Sequence, residues 1–287
     1  MLTVLFDGVA SGVLLFLLAI GLSITFGIMN FTNLAHGAFA MLGGYLTVVL
    51  LNRWNWPFLC CLPVAFILPA LVGVALERTL YCRLYDADPL DQVLFTIGLV
   101  FVSMATASYL MGAQQQIIQV PSFLQGQYHV FAGLDVSIYR LFLMGFCGVI
   151  TLFLHLVLMR TRFGSRLRAA VDNGRVARGL GINVNRLFAI TFGVGSGLAG
   201  LAGALGIEIL DVDPVFPVKF LVYFLIVVAV GGTGTVGGPL AAALILGIID
   251  IAGKYYIPQA GAFIIYAVML VMLIWRPQGL FGRKAMR

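Results

Sequence analysis

Two polar or glycine-rich interruptions of otherwise apolar sequence hold the residues best suited to meet a solute. They lie at 27–37, which carries Asn, Thr and His, and at 231–239, which reads GGTGTVGGP. Breaks in membrane helices expose backbone N–H and C=O groups that can contact a polar solute. The candidates for a translocation path in these stretches are Asn30, Asn33, His36, Gly232, Gly234 and Gly238. The simpler alternative is that each stretch is an ordinary turn between spans, and no clear internal repeat pairs them.

One ionisable residue joins these path candidates. Asp250 lies in apolar sequence, with Lys254 four positions later. Residues four apart share a helix face and can pair. A charge at the middle of a bilayer costs about 2.5–3.5 kcal/mol on insertion scales, so such residues face a cavity or a partner. Asp250 is therefore either a residue of the path or an acid that Lys254 neutralises locally near a helix end. Another acid, Glu77, is interpreted as an interfacial residue at the end of a span.

Residues 160–186 form an arginine-rich loop with an ordered interior. Seven arginines lie in it: Arg160, Arg162, Arg166, Arg168, Arg175, Arg178 and Arg186. The sequence SRLRAAV predicts a helix extension, and a short helix should follow, capped by Asp172 or Asn173 and stopped by Gly181. A plain topology anchor needs no such order, so the pattern favours a docking element. Its candidate residues are Asp172, Asn173, Arg175, Arg178, Leu180 and Gly181.

Several kinds of chemistry have no pattern in this sequence. No GxxxxGK[ST] phosphate-binding loop is present, because none of Lys219, Lys254 and Lys284 is followed by Ser or Thr. The three histidines are scattered without metal-ligand spacing, and no nucleophile and base are paired. We therefore expect no enzyme activity, cofactor or metal. If transport is uphill, its energy must enter from another polypeptide.

The elements that position these residues are membrane helices. The chain of 287 residues is 61% hydrophobic and only 10% charged, whereas soluble domains carry roughly 25% charged residues. We therefore predict an all-α, polytopic transmembrane bundle, with residues 1–287 as a single domain in the lipid bilayer. The net charge of +6 reflects cytoplasmic loops rather than a nucleic-acid partner.

Apolar runs of sufficient length predict about eight membrane segments. Their predicted bounds are 8–29, 35–51, 58–77, 93–112, 138–159, 187–207, 220–253 and 262–275. The stretch 220–253 must leave and return on the same side if the tail is cytoplasmic. It is therefore predicted to be two short helices joined at the glycine break, and the count is then nine.

The distribution of Lys and Arg predicts the orientation of the spans. The arginine-rich loop and the C-terminal tail should be cytoplasmic. The stretch 113–137, which has no Lys or Arg, should be external, as should the acidic turn 208–219. Counting back from the loop places the turn 30–36 on the cytoplasmic side.

The helix after the arginine-rich loop carries small residues four positions apart. The pairs are Gly193 with Gly197, Ser196 with Gly200, and Ala199 with Gly203. This spacing lets another helix backbone approach closely. It fits either tight packing in a bundle or a helix that moves against a neighbour.

Four stretches in order resemble one known family, the permease subunits of ABC importers of the branched-chain amino acid (LivH/LivM) type. They are FGIMNFTNLAHGAFAMLGGY, VDNGRVARGLGINVNRLFAITFGVGSGLAGLAGAL, VAVGGTGTVGGPLAAALILGIID and RPQGLFGR. The resemblance covers essentially the whole chain.

The resemblance implies a permease subunit of an ATP-driven importer in the bacterial inner membrane, carrying branched-chain or related amino acids. It also implies a second permease subunit, two cytoplasmic ABC ATPase subunits that hydrolyse the ATP, and a periplasmic solute-binding protein that delivers a small polar solute. Relatives for urea or short-chain amides keep the substrate open. A secondary transporter and a membrane enzyme are the rival classes.

Overall fold

A computed structural model describes residues 1–29, 31, 33–85, 87–116, 121–131, 134–232, 236–259, 261–276 and 279–280. Two of the predicted path residues, Asn30 and Gly234, lie outside these ranges.

The described chain is helical apart from one small hairpin. The helices are α1 (Leu2–Met29), α2 (His36–Trp54), α3 (Phe58–Thr79), α4 (Pro89–Met111), α5 (Ile138–Arg160), α6 (Arg162–Asp172), α7 (Gly174–Gly179), α8 (Val184–Leu210), α9 (Phe216–Gly231), α10 (Gly237–Tyr256) and α11 (Gly261–Trp275). The all-α polytopic fold is confirmed. The antiparallel hairpin of β1 (Gln127–Phe131) and β2 (Leu134–Ser137), in the predicted external loop, was not foreseen.

Six of these helices are long and apolar enough to cross a membrane, within the residues that the structure describes. They are α1, α3, α4, α5, α8 and α10, while α9 and α11 are apolar but shorter. The predicted division of 220–253 is confirmed, since α9 ends at Gly231 and α10 begins at Gly237. The predicted span 35–51 is α2, which is not one of the six. Its residues are mostly buried against other helices.

Helix α8 lies at the centre of the bundle and packs against α1, α2 and α3. Helix α8 can pack against three helices because it carries small residues. A Cβ added to Gly197 would lie 2.9 Å from the Phe66 carbonyl oxygen, and one added to Gly193 would lie 3.2 Å from the Ala70 carbonyl oxygen. The predicted close approach of a neighbouring backbone is therefore confirmed. No bulkier side chain fits on this face without moving α3.

The first four and last four helices repeat one arrangement that the sequence did not reveal. In each set a long helix (α1 or α8) is followed by a short connector and a second helix (α2 or α9). The long helix of each set packs on the third helix of the other, so α1 pairs with α10 and α8 pairs with α3. Both pairs are antiparallel: Gly8 meets Ile248 and Gly12 meets Ala243 across the first of them. Repeats of reversed direction are a common plan of transporters.

Candidate functional site

The connectors before α2 and α9 meet inside the protein. A Cβ on Gly37 would lie 2.9 Å from Pro217 Cα, and the His36 ring stands edge-on to Phe224 at 6.2 Å. His36 is 1% exposed, and its Nε2 lies 2.9 Å from the carbonyl oxygen of Leu18 in the interior of α1. The cytoplasmic side of the turn 30–36 stays a prediction. The end of the turn lies within the bundle, because α2 starts beside the middle of α1.

The predicted external turn 208–219 is also partly buried. Val212 is completely buried and Phe216 is 1% exposed. Glycine at position 44 makes room for this, because a Cβ there would lie 2.8 Å from Val212 Cγ2. The Val212 carbonyl oxygen accepts a hydrogen bond of 2.9 Å from the Gln116 N–H. The connector is thus held between α2 and the segment that follows α4.

Asn33 is held in place by a residue that the sequence did not identify. Its Oδ1 accepts one hydrogen bond from the Ala35 N–H and another from the Tyr81 hydroxyl, each of 3.1 Å. Tyr81 is fully buried and packs 4.8 Å from the Phe192 ring of α8. The Asn33 Nδ2 has no partner among the described residues. Tyr81 is 48 positions away in sequence, so no local pattern could have found it.

Glu77, interpreted from the sequence as an interfacial residue at the end of a span, lies in the last turn of α3. It is only 2% exposed, so it is buried against the protein itself. The Tyr85 hydroxyl donates a hydrogen bond of 2.6 Å to Glu77 Oε1. Burial, together with this carboxylate, raises the pKa of the Tyr85 phenol. The phenol therefore stays protonated and remains a donor, which satisfies the buried acid.

The described residues on either side of the glycine break pack closely. Gly232 follows α9 with a φ of +80°, a conformation that glycine adopts without strain. A Cβ on Gly231 would lie 2.6 Å from the nitrogen of Pro239. The C-terminal segment returns to this bend, where the Leu280 N–H donates a hydrogen bond of 2.7 Å to the Val230 carbonyl oxygen.

The return of the C-terminal segment brings together two of the sequence motifs, RPQGLFGR and the glycine-rich stretch. A Cβ on Gly279 would lie 2.8 Å from the Gly232 nitrogen and 2.9 Å from the Ala229 carbonyl oxygen. Gly279 itself has a φ of +80°. Gly238, another path candidate, is buried at the start of α10. Gly279 and Leu280 of the closing motif RPQGLFGR therefore contact the end of α9 and Gly232, a contact that only the tertiary structure shows.

The predicted pair on α10 is confirmed. Lys254 Nζ lies 2.6 Å from Asp250 Oδ2. Asp250 is 4% exposed, while the Lys254 side chain is half exposed. The other carboxylate oxygen, Oδ1, has no partner among the described residues. The pair neutralises a buried acid, and a role for Asp250 in the path stays a prediction.

The arginine-rich loop is two short helices. Asn173 is the N-cap of α7, because its Oδ1 accepts hydrogen bonds from the N–H groups of Arg175 and Val176, at 3.1 and 3.0 Å. Asp172 is the last residue of α6 and caps nothing, so that alternative is wrong. Gly181 has a φ of +80° just after α7, as expected of a helix stop.

These two helices are fixed to the start of α8. A small core joins them, made of Leu167, Ala170, Ala177, Val184 and Leu187. The Ile182 N–H donates a hydrogen bond of 3.0 Å to the Ala177 carbonyl oxygen. Asn183 caps α8 by accepting a hydrogen bond of 2.9 Å from the Arg186 N–H. Helix α7 is therefore packed directly against the first turn of α8.

The outer side of α7 exposes apolar groups between cations. Val176 is 56% exposed and Leu180 is 75% exposed. Arg175 and Arg178 are exposed beside them. We call these four residues the coupling surface. An apolar patch rimmed by polar residues is typical of a protein interaction site.

Almost the whole chain is similar to one family of known proteins. Residues 4–273 match the family model described as "Branched-chain amino acid transport system / permease component". A probable branched-chain amino acid transport permease protein LivH of Methanocaldococcus jannaschii is 30% identical, over 94% of this chain and 89% of that protein. The high-affinity branched-chain amino acid transport system permease proteins BraD of Pseudomonas aeruginosa and LivM of Escherichia coli are 25% and 24% identical, over 97% and 92% of this chain and 95% and 67% of their own lengths. No solved structure is significantly similar.

Proposed function

Because the chain belongs to the family of permease components of branched-chain amino acid transport systems, we propose that it is the membrane-spanning subunit of an ATP-driven importer. Its solute is a branched-chain or related amino acid, and its membrane is the bacterial inner membrane. The proposed partners are a second permease subunit, cytoplasmic ABC ATPase subunits and a periplasmic solute-binding protein. The names of the relatives support the solute, and the likeness to both LivH and LivM supports a paired permease.

The observation that carries the proposal is the attachment of the coupling surface to α8. Leu180 offers an apolar anchor, and Arg175 and Arg178 offer cations for acidic groups on an ATPase. The sequence has no nucleotide-binding loop of its own, so ATP-driven transport by this chain needs such a contact with a separate ATPase. The shared core of α6, α7 and α8 passes a push on α7 directly to the most central helix of the bundle.

The experiment compares two coupling-surface variants with a matched control. Leu180→Asp places a charge on the apolar anchor, and Arg178→Glu reverses a charge at the contact. Both should lower ATPase subunit retained on purification and uptake of radiolabelled L-leucine, at an unchanged amount of inserted permease. The control is Arg186→Glu, an equal charge reversal on an exposed residue outside the coupling surface. This control should keep both the copurifying ATPase subunit and the uptake of L-leucine.

Two outcomes would overturn this proposal. If both coupling-surface variants keep the ATPase subunit and full uptake, the loop is only a topology anchor. If uptake continues in cells that lack the ATPase subunits, the protein is a secondary transporter.

A further inference from the structure

A large apolar groove lies between α2 and α4, beside the end of α3. Its volume is about 410 Å³, and its walls include Leu42, Leu46, Val49, Leu99 and Leu110. Two hydroxyl residues of the wall, Ser103 and Thr106, donate to backbone carbonyl oxygens of α4 at 2.7 and 2.8 Å. Because these hydroxyls are used within their own helix, the groove suits an aliphatic occupant.

The groove opens on an exposed apolar face of the bundle. Val102 and Leu110 belong to its wall and are 63% and 65% exposed. The opposite wall, which includes Phe39 and Tyr45 of α2, is buried. Helix α4 is one of the six helices able to cross a membrane, so its exposed face lies in the hydrocarbon of the bilayer. The groove is therefore a recess that an acyl chain can enter from the side.

The length of the groove matches one half of a bilayer. Its wall on α4 extends from Leu99 to Met111, which is about 18 Å along a helix. The hydrocarbon core of a bilayer is about 30 Å thick, so each leaflet supplies about 15 Å. One acyl chain of a single leaflet can therefore lie along the whole groove.

A cation lies at one end of the groove. Leu46, Val49 and Arg53 share one face of α2, because they are three and then four positions apart. Leu46 and Val49 are wall residues, so Arg53 continues this wall by about 6 Å, one helical turn further. Arg53 is exposed. A phosphate attached to a chain in the groove would meet the Arg53 guanidinium at this end, and such pairs are short and strong.

Two tryptophans mark the same end of α2 as the edge of the membrane. Trp54 is the last residue of α2, and its ring lies 6.1 Å from the ring of Trp56. Both residues are exposed. Tryptophan is enriched where the hydrocarbon meets the lipid headgroups. Arg53, which precedes Trp54, therefore lies at the depth of lipid phosphates.

We propose that the groove and Arg53 form a binding site for one anionic phospholipid. One acyl chain fills the recess between α2 and α4, and the lipid phosphate pairs with Arg53. The bound lipid belongs to the leaflet in which α2 ends. The inference concerns the protein in its membrane and not its solute, so it is independent of the proposed function.

The first test measures occupancy. The protein, with the subunits that copurify with it, is reconstituted in phosphatidylcholine vesicles that contain an increasing share of phosphatidylglycerol with a photoreactive acyl chain. Peptide mass spectrometry then counts the labels on groove residues and on Phe153 of α5, which is 64% exposed and reports ordinary lipid contact. Labelling in the groove should saturate, because one site fills. Labelling at Phe153 should keep rising in proportion to the probe.

The second test removes room in the groove. Ala107 is 7% exposed and lines the groove, so Ala107→Leu places extra methylene groups where the acyl chain lies. Groove labelling relative to Phe153 should fall about tenfold, at the lower end of the effect of a methylene group in an apolar pocket. The control is Ala105→Leu, on the same helix at an exposed position, which should leave this ratio unchanged.

The third test concerns the headgroup. Arg53→Gln leaves the groove intact and should lower groove labelling by phosphatidylglycerol about fivefold below saturation, as expected for one basic residue near a membrane surface. Labelling by a photoreactive phosphatidylcholine should change much less, because that lipid has no net charge. The control is Arg160→Gln, at the exposed last residue of α5, which should label like the wild type.

Three results would overturn the proposal. Groove labelling that never saturates, at a ratio that Ala107→Leu does not change, would make the groove ordinary bilayer surface. Groove labelling that is seen only after the copurifying subunits are removed would make it a contact between subunits. Equal labelling of Arg53→Gln and the wild type by both lipids would remove the headgroup contact, and the proposed site with it. If Ala107→Leu fails to accumulate in the membrane, saturation and Arg53→Gln decide the question.

Discussion

Gly43 of α2 and Gly200 of α8 bring two helix backbones into direct contact. A Cβ on Gly43 would overlap the Gly200 backbone, and one on Gly203 would overlap the backbone of Ala40. Helices approach this closely only where side chains are absent. The contact joins α2 to the central helix α8, which follows the coupling surface in the chain.

The first prediction tests this contact. Gly43→Ala should lower the free energy of unfolding by about 1–3 kcal/mol, because an extra methyl in a packed interface forces the backbones apart. Thermal unfolding of the detergent-purified protein measures this. The matched control is Gly98→Ala on α4, where an added Cβ meets nothing within 4 Å. That change should be neutral or stabilising, since alanine favours a helix over glycine by about 1 kcal/mol. Equal effects at both positions would contradict the contact.

The second prediction concerns the cap of α7. Asn173→Ala removes the acceptor for two backbone N–H groups and should cost about 1 kcal/mol of local helix stability. Hydrogen exchange at residues 174–179 should become faster, and the amount of copurifying ATPase subunit should fall. Asn173→Ser retains a capping oxygen. It should restore most of the protection from hydrogen exchange and most of the copurifying ATPase subunit. If the alanine and serine variants behave alike, the cap does not order the coupling surface.

The third prediction concerns the glycine break. Gly232→Ala forces a side chain onto backbone angles of φ 80° and ψ 155°, a region that is essentially restricted to glycine and costs other residues about 1–3 kcal/mol. It should also disturb the contact with Gly279, so leucine uptake should fall along with stability. Gly237→Ala, where nothing lies within 4 Å of an added Cβ, is the control and should be tolerated. Ala243 is unsuitable as a control, because it is fully buried against Gly12. Normal uptake in Gly232→Ala would show that the bend needs no glycine.

The fourth prediction concerns the ion pair on α10. Lys254→Met leaves the buried Asp250 carboxylate without its cation and should destabilise the protein by about 1–3 kcal/mol. Adding Asp250→Asn removes the uncompensated charge and should recover part of that loss. A double-mutant cycle on thermal unfolding measures the coupling energy. Additive effects of the two changes would mean that the pair contributes nothing beyond its separate residues. Loss of uptake in Asp250→Asn at normal stability would support its place in the path.

The sequence by itself determined the features that depend on neighbouring residues. Hydropathy gave the membrane class and the helical fold, and the glycine run correctly divided α9 from α10. The cap and the stop of α7 involve contacts within a few residues, so spacing was enough to predict the stop at Gly181 and to narrow the cap to Asp172 or Asn173. The small-residue face of α8 was predictable for the same reason, since its period lies within one helix.

Only the tertiary structure decided which of these features meet. The hydrogen bond between Tyr81 and Asn33, the contact between Gly44 and Val212, and the return of Gly279 to Gly232 all join distant parts of the chain. Hydropathy counts how many segments are apolar, but it carries no information about the depth at which a connector lies. The connectors before α2 and α9 are buried because glycines on α2 let other backbones approach. Such close packing depends on two segments of the chain at once, whereas a sequence pattern describes only one segment.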